Sequence, residues 1–144
     1  MKAISLWQPW ASLVSLGIKK IETRSWRTNY RGPLAIHASK RFWREDRQVA
    51  RDYPAFAEAL NDAGFKVADL PLGCVIAVCE IVDCVPTESM SFDLGRAYKE
   101  KPFGDYSPGR FAWILDNVRP LKEPIPAKGA LGLWEWEMPG GEDY

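Results

Sequence analysis

Histidine is nearly missing from these 144 residues, His37 being the only one. A two-histidine ribonuclease mechanism is thereby excluded, because it needs one imidazole as base and a second as acid. Cysteine is scarce too, at three. Cys74, Cys79 and Cys84 fall five apart in what reads as one strand, so neighbours stand roughly 16 Å apart on alternating faces. Tetrahedral zinc holds its ligands at about 2.0–2.3 Å. The thiols are therefore expected to be buried structural residues, with no metal and no cofactor implied. No stretch approaches the eighteen or so apolar residues of a membrane span. Met1-Lys2-Ala3-Ile4-Ser5 also lacks the apolar stretch of a signal peptide. The expectation is a soluble, cytoplasmic protein with reduced thiols and no membrane partner.

Net charge is a further absence, and a misleading one. Lys plus Arg and Asp plus Glu each number 19. Residues 1–51 hold eleven of the bases and three of the acids, whereas 52–144 hold eight and sixteen. If the basic third shares one surface, it makes a positive patch suited to phosphates. If the two halves pack together, they neutralise each other. The patch is favoured because Arg24, Arg27, Arg31, Lys40, Arg41 and Arg44 are interleaved with Trp26, Tyr30 and Trp43.

The length fits one domain, over 1–138, with a flexible tail at 139–144. Lys2 to Trp7 reads as a short strand. Pro9 to Gly17 reads as a helix, with Trp10, Leu13, Val14 and Leu16 at helical spacing and Gly17 as its stop. A period of two follows from Lys20 to Trp26. After a turn at 28–33, Leu34 to Ala38 resumes as a buried strand. Ser39 is a candidate N-cap for a helix over roughly 40–51, which Tyr53-Pro54 interrupts and a second piece continues to Gly64. Cys74 to Cys84 is almost wholly apolar, a strand covered on both faces. Residues 85–109 show no sustained period and read as a long loop. Phe111 to Leu115 and Leu131 to Trp136 are two more strands, joined by the proline-rich Pro120 to Lys128. No alternating strand–helix rhythm appears. The fold class is α+β, a small β-barrel of about six strands with peripheral helices.

The charged strand carries the chemistry. Glu22 and Arg24 stand two apart on one face, roughly 6.5–7 Å along the strand. They make either an ion pair closing the barrel mouth or a reader, with Glu22 accepting the exocyclic amine of a base and Arg24 engaging phosphate. Gln8 and Trp10 at the helix start supply an amide and a stacking ring. Trp26 is a second stacking candidate and Arg27 a further cation. Trp7, Trp113, Trp134 and Trp136 alternate with apolar strand residues and read as core rings. Glu80 is the one acid inside an apolar run, so a lysine or arginine is expected near it. His37 shares a strand face with Ala35 and reads as a satisfied structural histidine.

Gly17, Lys19, Glu22 and Arg24 spell Gly-x-Lys-x-x-Glu-x-Arg, and Ser5 to Ser12 spells Ser-Leu-x-Gln-Pro-Trp-Ala-Ser. Together with Arg31-Gly32-Pro33-Leu34, the run from Gly73 to Cys84, Pro126-Ala127-Lys128-Gly129 and Gly132-Leu133-Trp134, they make the chain resemble the ASCH domain family over nearly its whole length. The resemblance implies a PUA-like barrel, related to RNA-modification modules, with a cleft between barrel and helices. It selects Lys19, although alternation places Lys20 on the face of Glu22, because Lys19 lies in the turn after Gly17. Members of the family include nucleic-acid binders, reported ribonucleases and a small bacterial branch that hydrolyses N4-acetylcytidine. That branch uses a lysine, a threonine and a glutamate; they correspond to Lys19, to Glu22 in place of the threonine, and to Glu80.

Two functions follow. The first is a basic, Trp-lined cleft that binds RNA or another single-stranded nucleic acid through Gln8, Trp10, Lys19, Arg24, Trp26 and Arg27. The second is a metal-independent hydrolase of acylated nucleobases or nucleosides, or a ribonuclease. There Lys19, Glu22 and Glu80 would be catalytic, a carboxylate activating water and the lysine steadying the oxyanion.

Overall fold

The structure is a computed structural model that describes residues 1–91 and 96–140. Positions 92–95, inside the expected long loop, and 141–144, the end of the expected tail, lie outside the described residues. The chain forms β1 (Lys2–Leu6), α1 (Trp10–Ser15), β2 (Ile21–Arg24), β3 (Gly32–Ala38), α2 (Arg44–Asp52) and α3 (Pro54–Asp62). It continues through β4 (Cys74–Pro86), α4 (Arg96–Glu100), β5 (Phe111–Pro126) and β6 (Trp134–Glu135). The six strands make one sheet in the order β2-β5-β4-β3-β1-β6. Only β1 and β3 run parallel; the other pairs are antiparallel.

This is the α+β architecture expected, with one difference in closure. Strand pairing leaves β2 and β6 as the two ends of the sheet rather than joining them. The long central pair β4–β5 carries register shifts at three places, and such bulges bend strands. The bend brings β2 round toward β1, which is not its neighbour in the sheet: Arg24 Nη2 donates to the Ser5 carbonyl at 3.0 Å. A side chain bridges the seam that a barrel would close with backbone.

The core explains the order. From Cys74 to Cys79 β4 is buried throughout, and its three cysteines are free, buried thiols, as the spacing implied. Ile4, Leu34, Ile36, Ile76, Ile81, Trp113 and Leu115 form the main cluster, to which α1 adds Ala11 and Val14. A second cluster under α2 and α3 holds Leu13, Phe42, Phe56, Leu60 and Phe103. Gly17 stops α1 at φ +75, a conformation open to glycine, and the Ile18 and Lys19 amides then bond back to the Leu13 carbonyl.

Several boundaries differ from the sequence reading. The proline-rich stretch is the second half of β5. Because β2 covers only Phe111–Ile114, that half is an edge, where a proline's missing N–H costs no ladder bond. The expected loop over 85–109 holds the end of β4, α4 and two short 3-10 turns. Ser39 does not cap α2. The helix begins at Arg44, and the Asp46 carboxylate accepts the Trp43 amide at 3.0 Å.

Candidate functional site

A cleft of about 1500 Å³ opens between the sheet and the second cluster. Its floor comes from β1, β2 and β3, which present Ser5, Glu22, Arg24 and His37. Trp10, Phe56 and Phe103 form the apolar wall, linked edge to face at 5.7 and 5.0 Å. Lys40 and Lys128 stand exposed on its border.

The floor is a chain of charges. Glu22 accepts Arg24 Nε at 2.9 Å through one oxygen and faces Lys19 Nζ at 3.4 Å with the other. Lys19 is 1% exposed and also donates to the Ile21 carbonyl. Two cations about one anion leave this trio with a surplus positive charge. Only Glu22 and Arg24 reach the cleft; Lys19 sits behind Glu22 and fixes it. The turn holding Lys19 is pinned by Glu100 of α4, whose buried carboxylate accepts the Lys20 amide at 2.9 Å and the Ile21 amide at 3.1 Å. Burial raises the Glu100 pKa, opposed by those two amides and by Lys19 and Lys20. Strand β2 begins at Ile21. Alternation therefore starts too late to govern Lys19, and Lys20 points to solvent.

His37 forms a second, uncharged network. Its Nε2 lies 2.7 Å from the Ala127 carbonyl, which only accepts, so Nε2 carries the proton. Nδ1 then accepts from the Ser5 hydroxyl at 2.9 Å, and that oxygen accepts Trp134 Nε1 at 3.3 Å. Burial lowers the His37 pKa, more than the bond to Ala127 raises it. The residues from Ala127 to Gly132 cross this network as a strap on the cleft border. A Cβ added to Gly129 would sit 2.5 Å from Ser5 Oγ and 2.8 Å from His37 Nδ1.

The remaining candidates separate. Trp10 lines the wall. Gln8 is fully buried and its amide is spent inside the fold: Oε1 accepts the Ser12 amide at 3.0 Å, and Nε2 donates to Ser12 Oγ and the Pro71 carbonyl. Trp26 packs edge to face on Trp113 at 4.7 Å, against the main core. Arg27 is exposed but is not among the described residues lining the cleft. Glu80 is absent from that lining too; it pairs with Pro33 and Asp116 in the sheet, and its side chain accepts from Asn117 at 3.5 Å. Lys19, Glu22 and Glu80 therefore do not share one hollow. Trp7, read as a core ring, is 48% exposed on the cleft border.

The basic third is divided in the same way. Arg31 pairs with Asp83 and Lys2 with Glu135, so part of it neutralises the acidic remainder. Arg24 and Lys40 remain at the cleft.

The ASCH domain family matches residues 4–125. Activating signal cointegrator 1 of Mus musculus is 29% identical over 133 residues, covering 92% of this chain and 22% of that protein. The Homo sapiens protein of that name gives the same identity and coverage. The chain thus spans about a fifth of the length of these curated relatives. Among solved structures, ASCH from Zymomonas mobilis superposes with a TM-score of 0.50 at 16% identity, covering 87% of this chain and 72% of that one.

Proposed function

The chain belongs to the ASCH domain family, and from that premise we propose that its cleft binds a nucleotide of single-stranded RNA. The Lys19–Glu22–Arg24 trio opposite the Trp10 wall carries this reading, since it sets a charged, hydrogen-bonding floor of fixed geometry against an aromatic side. Arg24 has five N–H donors, of which Nε and one on Nη2 serve Glu22 and the Ser5 carbonyl. The others are available for a phosphate or base edge. Glu22, held by two cations, keeps lone pairs for an exocyclic amine. Trp10 offers a base an indole surface, while Lys40 and Lys128 supply exposed charge for the neighbouring phosphates. Lys19 acts here as a positioning residue.

Fluorescence anisotropy with a labelled single-stranded RNA, repeated across salt concentrations, tests this function. Arg24→Ala and Lys40→Ala should each weaken binding. Each should also flatten the slope of log affinity against log salt, by about 0.7 for every phosphate that the variant no longer neutralises. Unchanged affinity in both variants at low salt would overturn the assignment.

A further inference from the structure

Where the cleft meets α2, the Arg41 guanidinium lies 3.3 Å from the centre of the Trp7 ring and 3.8 Å from that of Trp43. The guanidinium carbon therefore lies over both rings at stacking distance. Each indole gives one face to Arg41 and still remains 48% exposed in Trp7 and 59% in Trp43. Both rings therefore keep about half of their surface open to solvent. Trp7 borders the cleft as does Lys40, and Trp43 lies beyond it, flanked by the exposed Arg44.

We propose that this Trp7–Arg41–Trp43 stack is a second base-stacking subsite, taking a purine of the same RNA strand just outside the cleft. The inference rests on the nucleic-acid reading above. Three observations carry it. The stack is preorganised: Arg41 Nε and Nη2 bond both oxygens of Asp46 at 3.0 and 3.2 Å, and Asp46, itself buried, also accepts the Trp43 amide. A ligand then meets rings that are already ordered. The Arg41 charge is balanced by Asp46, so the stack offers π-faces rather than a phosphate site. Lys40 and Arg44 on either side are exposed to water, which suits the backbone of a strand passing from cleft to stack. A purine is specified because its larger ring covers more of an exposed indole.

The test uses the intact chain and a ten-nucleotide adenine-rich RNA carrying 2-aminopurine, followed by anisotropy and by 2-aminopurine emission. Binding should quench the probe in the wild type. Trp43→Ala should weaken affinity roughly five- to hundredfold and reduce the quench, with the salt slope unchanged. Trp43→Phe should fall between, and Arg41→Lys, which keeps charge but removes the planar group, should weaken binding as well. Thermal melts establish that each variant is folded. Wild-type binding that Trp43→Ala and Trp43→Phe leave intact overturns the subsite and spares the cleft. Failure of the wild type to bind any RNA overturns both.

Discussion

His37 shows how much one side chain can report. Its neutral form is the one that fits, donating to Ala127 and accepting from Ser5, and its folded pKa is lowered chiefly by burial. A depressed pKa means the unfolded chain takes up the proton first as pH falls. Stability from this group is therefore complete above the ordinary histidine value of about 6.5 and is lost below it, as pH falls through the folded value. With no other histidine in the chain, urea denaturation should show a plateau at about pH 7.5–8, bounded on the alkaline side by the raised Cys79 and Cys74 thiols, and a decline from about pH 6.5 downward. His37→Gln should be less stable at neutral pH and lack the first part of that decline. The residue's fit is legible from its place on an apolar strand; Ala127 and Ser5 as its partners are not, since both are set by tertiary approach. Gln8 escapes a sequence reading for a similar reason. An amide beside a helix start serves a ligand or the helix itself, and only the position of the Ser12 amide decides which.

The strap from Ala127 to Gly132 is the element on which the cleft border depends. Gly129 is required there by proximity, because a methyl group would collide with Ser5 and His37 at once. Gly129→Ala should lift the strap, cost about 1–3 kcal/mol and return the His37 titration toward its ordinary value. Thermal melting and proton NMR of the imidazole measure the two effects. A variant with wild-type stability and the wild-type histidine titration would contradict the close approach. The elements themselves are partly readable. Strand β4 stands out because burial on both faces leaves it apolar at nearly every position, and the Glu22–Arg24 pair follows from strict alternation in β2. The second half of β5 is hidden by its prolines, which local sequence reads as a break. Its edge position, which makes them tolerable, is a property of the whole sheet.

At the scale of the molecule, two cores of unequal kind face each other across the cleft. The sheet core is built from long-range strand pairing, whereas α2 and α3 rest on a smaller cluster. Opening should be graded accordingly. Hydrogen exchange is expected to be slowest for Leu34–Ala38 and Cys74–Ile81 and faster throughout α2 and α3. Equal protection in both would mean that one cooperative unit spans the cleft. This assembly also separates Glu80 from Glu22: both are plausible site acids by composition, and only sheet register sends one to the cleft and the other away. The Trp7–Arg41–Trp43 stack is invisible in the sequence for the same reason, since its members come from just after β1 and just before α2.

The thiols on β4 have a consequence for where such a chain can survive. Oxidants attack the thiolate, and Cys79 is completely buried with its pKa pushed up to about 12 by desolvation, the Glu80 carboxylate adding to the effect. Burial raises Cys74 as well. Peroxide or glutathione disulfide finds almost no ionised sulfur to react with at either position while the sheet is intact. Redox surroundings therefore make little demand on these two positions, which become vulnerable only when the strand that carries them comes apart.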